Sequence, residues 1–307
     1  MGHESLSKIR FFPQLREYET LAKQFIYYLE LTEKAEIRLE GLTWKGRNGV
    51  QVLVKDIPYI HRWSECYLNS RLAKLYKLEA WVKEHPTPVT MATYTTFHDY
   101  NAAGQKKNEG YSIEQSFKVL NEGLRKSTML LRAMRGGPVQ YMNVLEPHPQ
   151  SGYPHAHVMY LSMITEEEQS RLKNHWANVV GAGDYIHGLN FSIDSVFQEG
   201  EIKSVRNYLM KYMAKTLYDG WRSWTPQELV FNAVAWGGKR DPFKKKRHYR
   251  TFQPSRELSR IMALDLDKKP WEMWVRTSIK GNEPILLRET DKDDLKAIFA
   301  VMAGEEA

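Results

Sequence analysis

A chain of 307 residues is long enough to bury a substantial core, as one large domain or as two to three small ones. Its charged and aromatic content excludes a disordered tail, and 44 basic against 37 acidic residues leave a net charge of +7, a mild excess that suits a polyanionic partner. The single cysteine, Cys66, excludes an intrachain disulfide and a cysteine-based metal centre and fits a reducing cytoplasm. With no run of about 18 apolar residues, no membrane span is expected, and the first residues lack the apolar stretch of a secretory signal.

Apolar positions Leu15, Leu21, Phe25, Tyr28 and Leu29 predict a helix over residues 13–34. Residues 50–54 read as a short strand and residues 62–84 as a second long helix. Pro86 and Pro88 stop that helix and mark a boundary, so residues 1–87 are expected to form a mainly helical N-terminal region. Residues 88–218 differ in character. The β-branched and aromatic stretch 89–97 predicts a strand. A long helix follows over residues 112–135, ended by Gly136-Gly137-Pro138, then strands over 139–146 and 155–162. A capping box, Thr165 to Glu168, opens a helix over 165–179, and a strand over 189–197 and a helix over 201–217 complete the series. The order β-α-β-β-α-β-α predicts an α+β fold with a ferredoxin-like or RRM-like antiparallel sheet, helices on one side and the other face free. Residues 219–307 form a basic, tryptophan-containing C-terminal region of mixed structure.

His155-Ala156-His157 lies on the third of these strands. Side chains alternate along a strand, so both imidazoles project from one face while Ala156, Val158 and Tyr160 point at the helices. Two imidazoles on one face make a metal clamp. Glu146 closes the preceding strand, and antiparallel pairing brings it alongside; His148 and Asp99 compete for the same place as third ligand. Two nitrogens and a carboxylate leave positions open for water or a phosphate oxygen. That mixture suits Mn²⁺ or Mg²⁺ in phosphate chemistry, and zinc or iron also accept it.

Residues 208–215 repeat the unit Tyr-x-x-Lys in tandem. At about 100° per residue, Tyr208, Lys211, Tyr212 and Lys215 fall within an arc of roughly 100°. A phenol is a poor nucleophile at neutral pH, and a neighbouring ammonium favours the phenolate and stabilises charge growing on a phosphate.

Metal cluster first, tyrosine helix about fifty residues later, both on a ferredoxin-like order: this pattern resembles the HUH endonucleases, and within them the rolling-circle replication initiators of plasmids and viruses. The strand Thr93-Tyr-Thr-Thr-Phe97 is similar to their first motif, Pro154-His-Ala-His-Val158 to the second, and Tyr208-Leu-Met-Lys-Tyr-Met-Ala-Lys215 to the third. The doubled tyrosine looks like the two-tyrosine branch. The resemblance covers about residues 88–218 and implies a divalent metal held by His155, His157 and Glu146. It also implies Tyr208 or Tyr212 as nucleophile, with Lys211 and Lys215 beside them, a 5′-phosphotyrosine intermediate, and single-stranded origin DNA as substrate. A host helicase and polymerase would complete replication in a prokaryotic cytoplasm, since no Gly-x-x-x-x-Gly-Lys-Ser/Thr motif marks a fused helicase.

Residues 238–250 (GKRDPFKKKRHYR) hold seven basic residues and one acidic residue. Lys239, Arg240, Lys244, Lys245, Lys246, Arg247 and Arg250 are candidate phosphate contacts, or a solvated loop. A single-strand transposase would share the same site. A non-catalytic nucleic-acid-binding module would need no metal, and a two-histidine-one-carboxylate oxygenase would leave the Tyr-Lys units unexplained.

Overall fold

The computed structural model describes residues 13–33, 35–44, 50–58, 63–85, 88–100, 105–107, 109–192, 221–237, 249–263 and 272–280. The expected helix over 201–217, with Tyr208, Lys211, Tyr212 and Lys215, lies outside the described residues. So do Lys239, Arg240, Lys244, Lys245, Lys246 and Arg247; Arg250 is described and exposed.

The fold is α+β. Its principal sheet takes β3 (Thr90–Tyr94), β4 (Tyr141–Pro147), β5 (Pro154–Tyr160), β6 (Leu189–Ser192) and β7 (Phe252–Pro254) in the order β6-β3-β5-β4-β7. Every neighbouring pair is antiparallel. Helix α3 (Ile113–Arg135) joins β3 to β4, and α4 (Glu166–Asn174) joins β5 to β6. The first four strands follow the split β-α-β order of a ferredoxin-like sheet. Strand β7 extends that sheet at the β4 edge and comes from a region the sequence left unassigned.

Local chemistry sets the helix ends. Ser112 Oγ accepts from the Gln115 amide at 3.2 Å while Gln115 Oε1 accepts from the Ser112 amide at 2.9 Å, and Gly136 ends α3 at φ 64°. The expected Thr165–Glu168 capping box opens α4. That helix continues into a π-helical turn, His175–Val180, which seats Trp176. The Trp176 ring sits edge-on to Tyr94 at 4.9 Å, and its Nε1 donates to the Thr95 carbonyl at 2.9 Å.

One face of the sheet offers Ala92, Tyr94, Leu145, Ala156, Val158 and Tyr160 to Phe117, Leu120, Leu124 and Leu131 of α3. The same core runs on into Phe25, Ile26 and Leu29 of α1 (Glu19–Glu33) and Val230, Phe231 and Val234 of α5 (Pro226–Gly237). It therefore crosses the chain positions at 87 and 218 that the sequence reading used as boundaries.

The opposite face is not free, contrary to expectation. Met91, Met142, Val144, Met159 and Leu161 are buried there with Leu75, Leu78 and Val82 of α2 (Glu65–Glu84) and Leu258 of α6 (Arg256–Ile261). Five apolar side chains in water would cost several kcal/mol at about 25 cal/mol per Å², so a helix covers them. A second sheet, order β2-β1-β8, pairs the hairpin β1 (Glu36–Trp44) and β2 (Val50–Pro58) with β8 (Glu272–Lys280). The region expected to be mainly helical thus carries a hairpin as well as its two helices.

Gly123 of α3 faces Trp176. A Cβ there would lie 2.4 Å from the Trp176 ring and 2.9 Å from Val180 Cγ1. Alanine gains about 1 kcal/mol of helix propensity, whereas overpacking costs about 1–3 kcal/mol. Because Trp176 is fixed by its hydrogen bond and by Tyr94, Gly123→Ala should destabilise by about 1 kcal/mol in urea unfolding. A variant as stable as the parent would show that the tryptophan yields.

Candidate metal centre

Strand alternation divides β5 as its sequence requires. Ala156, Val158 and Tyr160 enter the helix-side core, and Met159 enters the opposite cluster. His155 and His157 share that opposite face with Met159. Register completes the group: Glu146 of β4 lies across from His155, and Thr93 of β3 lies across from His157. Glu146, His155 and His157 are 5, 8 and 6% exposed, which is unusual for ionisable side chains without a partner.

The partners are one another. His155 Nε2 and His157 Nε2 each lie 2.8 Å from Glu146 Oε1. All three donor atoms fall within 4.8 Å of one another. Two ligands at right angles on a cation with bonds of about 2.1 Å are about 3 Å apart, so this spacing fits a bound ion with little movement. Glu146 Oε2 and His155 Nδ1 are buried with no hydrogen-bond partner among the described residues. A carboxylate taking two donors on one oxygen and none on the other suits a cation better than it suits a closed network. Burial raises the Glu146 pKa, but the hydrogen bonds and charges of His155 and His157 outweigh it and hold the group at about 2.

The donor set, two imidazoles and a carboxylate, could hold a metal ion, and a bound divalent ion would supply Lewis-acid chemistry. His157 Nδ1 shares a 3.1 Å hydrogen bond with Thr93 Oγ1. A hydroxyl both donates and accepts, so Thr93 serves either tautomer of the ring, with or without metal on Nε2.

Of the three candidates for third ligand, Glu146 stands with the histidines. Asp99 is buried and accepts the Tyr153 hydroxyl, which occupies it elsewhere. Burial and that hydrogen bond push the Tyr153 phenol up. His148 remains close, its ring 5.9 Å from that of His155. A tight turn sets it there: its amide donates to the Tyr153 carbonyl at 2.8 Å, and its carbonyl accepts from Gly152 at 2.8 Å, with Gly152 at φ 76°. His98 stacks on Tyr153 at 4.1 Å and lies 6.2 Å from His148. Burial, then the neighbouring His148 and His155, hold His98 down at about 4, so it is neutral at pH 7.

Sequence reasoning passed over Thr93, although it opens the first motif, and missed His98. The one sequence signal for His98 was its place directly after that motif.

Thr93→Val keeps the volume and removes the ring's orienting partner, and should weaken Mn²⁺ binding about 10-fold or more by calorimetry. Protons and a cation compete for the same imidazole nitrogens. Mn²⁺ affinity should therefore fall as pH is lowered, which calorimetry at several pH values would register. An affinity indifferent to pH would remove both histidines from the ligand set.

No protein-family model matches the chain, and no curated protein matches it significantly.

Proposed function

We propose that this protein cuts and rejoins single-stranded DNA by tyrosine transesterification, as the starting enzyme of rolling-circle replication. The observation that carries the reading is the buried Glu146-His155-His157 set on the central strands of a split β-α-β sheet. The motif order in the sequence supports it: histidines first, tandem Tyr-x-x-Lys afterwards.

In this reading Glu146, His155 and His157 would hold a divalent ion, Mn²⁺ or Mg²⁺, which when bound would supply Lewis-acid chemistry at a phosphate. The Oη of Tyr208 or Tyr212 attacks phosphorus. The new Oη–P bond forms as the P–O3′ bond breaks, and the departing 3′ oxygen takes a proton. The 5′ phosphate remains on the tyrosine, and the freed 3′ hydroxyl primes a host polymerase. Attack of a 3′ hydroxyl on the phosphotyrosine reverses the cut without ATP. Lys211 and Lys215 favour the phenolate and offset phosphate charge. Lys239, Arg240, Lys244, Lys245, Lys246, Arg247 and Arg250 grip backbone phosphates. The work belongs in the cytoplasm of a prokaryotic host, on a plasmid or viral replicon, with a host helicase opening the duplex. Among the described residues, no helix is long and apolar enough to cross a membrane.

Labelled oligonucleotides tiling the replicon's origin, incubated with the protein and Mn²⁺, should yield a covalent adduct on a denaturing gel. The adduct should vanish with a chelator and in the Tyr208→Phe/Tyr212→Phe double variant. Lys215→Ala should slow single-turnover cleavage more than it weakens binding. Full activity of the double tyrosine variant would end the nucleophile assignment. Binding without any adduct over the full tiling would favour a non-catalytic DNA-binding role.

A further inference from the structure

We infer that His148 is a fourth protein ligand of the metal centre, making it a three-histidine, one-carboxylate site that prefers a first-row transition cation to Mg²⁺. The inference rests on the reading of Glu146, His155 and His157 as metal ligands. With metal–nitrogen bonds of about 2.1 Å, each ring centre lies about 3.2 Å from the cation, so two imidazoles sharing it have centres about 4.5 Å apart at right angles and up to about 6.4 Å apart at wider angles. The His155 and His157 rings are 4.8 Å apart, and the His155 and His148 rings 5.9 Å apart. Both pairs meet edge to face, at 76° and 68°.

Two further observations point the same way. His148 Nδ1 is buried and has no hydrogen-bond partner among the described residues, and neither has Glu146 Oε2. An imidazole nitrogen and a carboxylate oxygen are each costly to bury without a partner. The turn over residues 148–153 also presents His148 deliberately: its amide and carbonyl are both bonded within the turn, and Tyr153 is anchored on Asp99 and stacked on His98. The donor atom of His148 lies outside the three-residue cluster. Closing that gap needs a swing of a ring carried on a turn rather than on a strand. Three imidazoles shift the preference away from Mg²⁺, which takes oxygen ligands, toward Mn²⁺, Co²⁺ or Zn²⁺. An octahedral ion with four protein ligands keeps two positions for a water and a phosphate oxygen.

The full chain and its His148→Ala, His148→Gln and His157→Ala variants are titrated with Co²⁺ and with Mg²⁺ by calorimetry. Visible absorption of the Co²⁺ forms is recorded, and bound nitrogens are counted on the Mn²⁺ forms by pulsed electron paramagnetic resonance. His148→Ala should weaken Co²⁺ about 10- to 100-fold and move its absorption bands, leave Mg²⁺ within about twofold, and reduce the nitrogen count from three to two. His148→Gln preserves volume without supplying an imidazole nitrogen, and should behave like the alanine variant even where alanine disturbs folding. A folded His148 variant with the parent's Co²⁺ affinity, spectrum and nitrogen count would overturn the fourth ligand while leaving the three-residue centre intact. Parent protein that binds no Co²⁺, or a His157→Ala variant that binds it normally, would instead overturn the centre itself.

Discussion

A carboxylate buried between two imidazoles is the constraint on which the sheet's second face depends. Removing an unpaired carboxylate from water costs several kcal/mol, so Glu146 is tolerable only where donors meet it. The β4–β5 register brings His155 and His157 to it, each 2.8 Å from the same oxygen. A one-residue slip in that register would turn both rings into the helix-side core and aim Ala156 and Val158 at the carboxylate. Met159 and Met142, further along the same strands, work against such a slip, since α2 and α6 bury them on the face that carries the histidines. The apolar half of this face therefore fixes the geometry of its polar half.

That division explains what the sequence made legible. Strand period alone put His155 and His157 together and Ala156, Val158 and Tyr160 opposite them, because alternation is local. The capping boxes at Ser112 and Thr165 were equally local, and Thr165 could be named in advance. The covering of the second face was not foreseen. Met91, Met142 and Met159 occupy alternate positions on their strands, a sign of burial on that side too, but nothing local says that residues 75–82 supply the cover. The hairpin was half seen. Val50, Val52 and Val54 read as a strand, whereas Ile37 and Leu39 alternate across only a short span before Gly41, and their pairing with residues 272–280 is long-range.

The site shows the same limit. Glu146 could be ranked as a ligand because it precedes a turn between adjacent strands, whereas Asp99 could be set aside only once Tyr153 was seen to occupy it. His98 and His148 are fifty residues apart and meet through a stacked tyrosine and a glycine turn, neither of which has a period. The tandem Tyr-x-x-Lys unit keeps its meaning as sequence chemistry alone.

Strands and turns divide the labour in such a centre. Glu146, His155, His157 and the orienting Thr93 sit on adjacent strands, whose spacing of about 4.8 Å is set by backbone hydrogen bonds. Their donor atoms are consequently placed before any cation arrives, and little ordering entropy remains to be lost on binding. His148 sits on a turn, where a small backbone or side-chain change costs far less than breaking a ladder. Under the proposed reaction, a rigid three-residue seat with an adjustable fourth group would hold an ion firmly and still let its coordination change as a phosphate oxygen came and went. Phosphoryl transfer rewards that combination, because charge on the phosphate grows and then migrates to the leaving oxygen, and a ligand set too rigid to follow it would stabilise one state at the expense of the next.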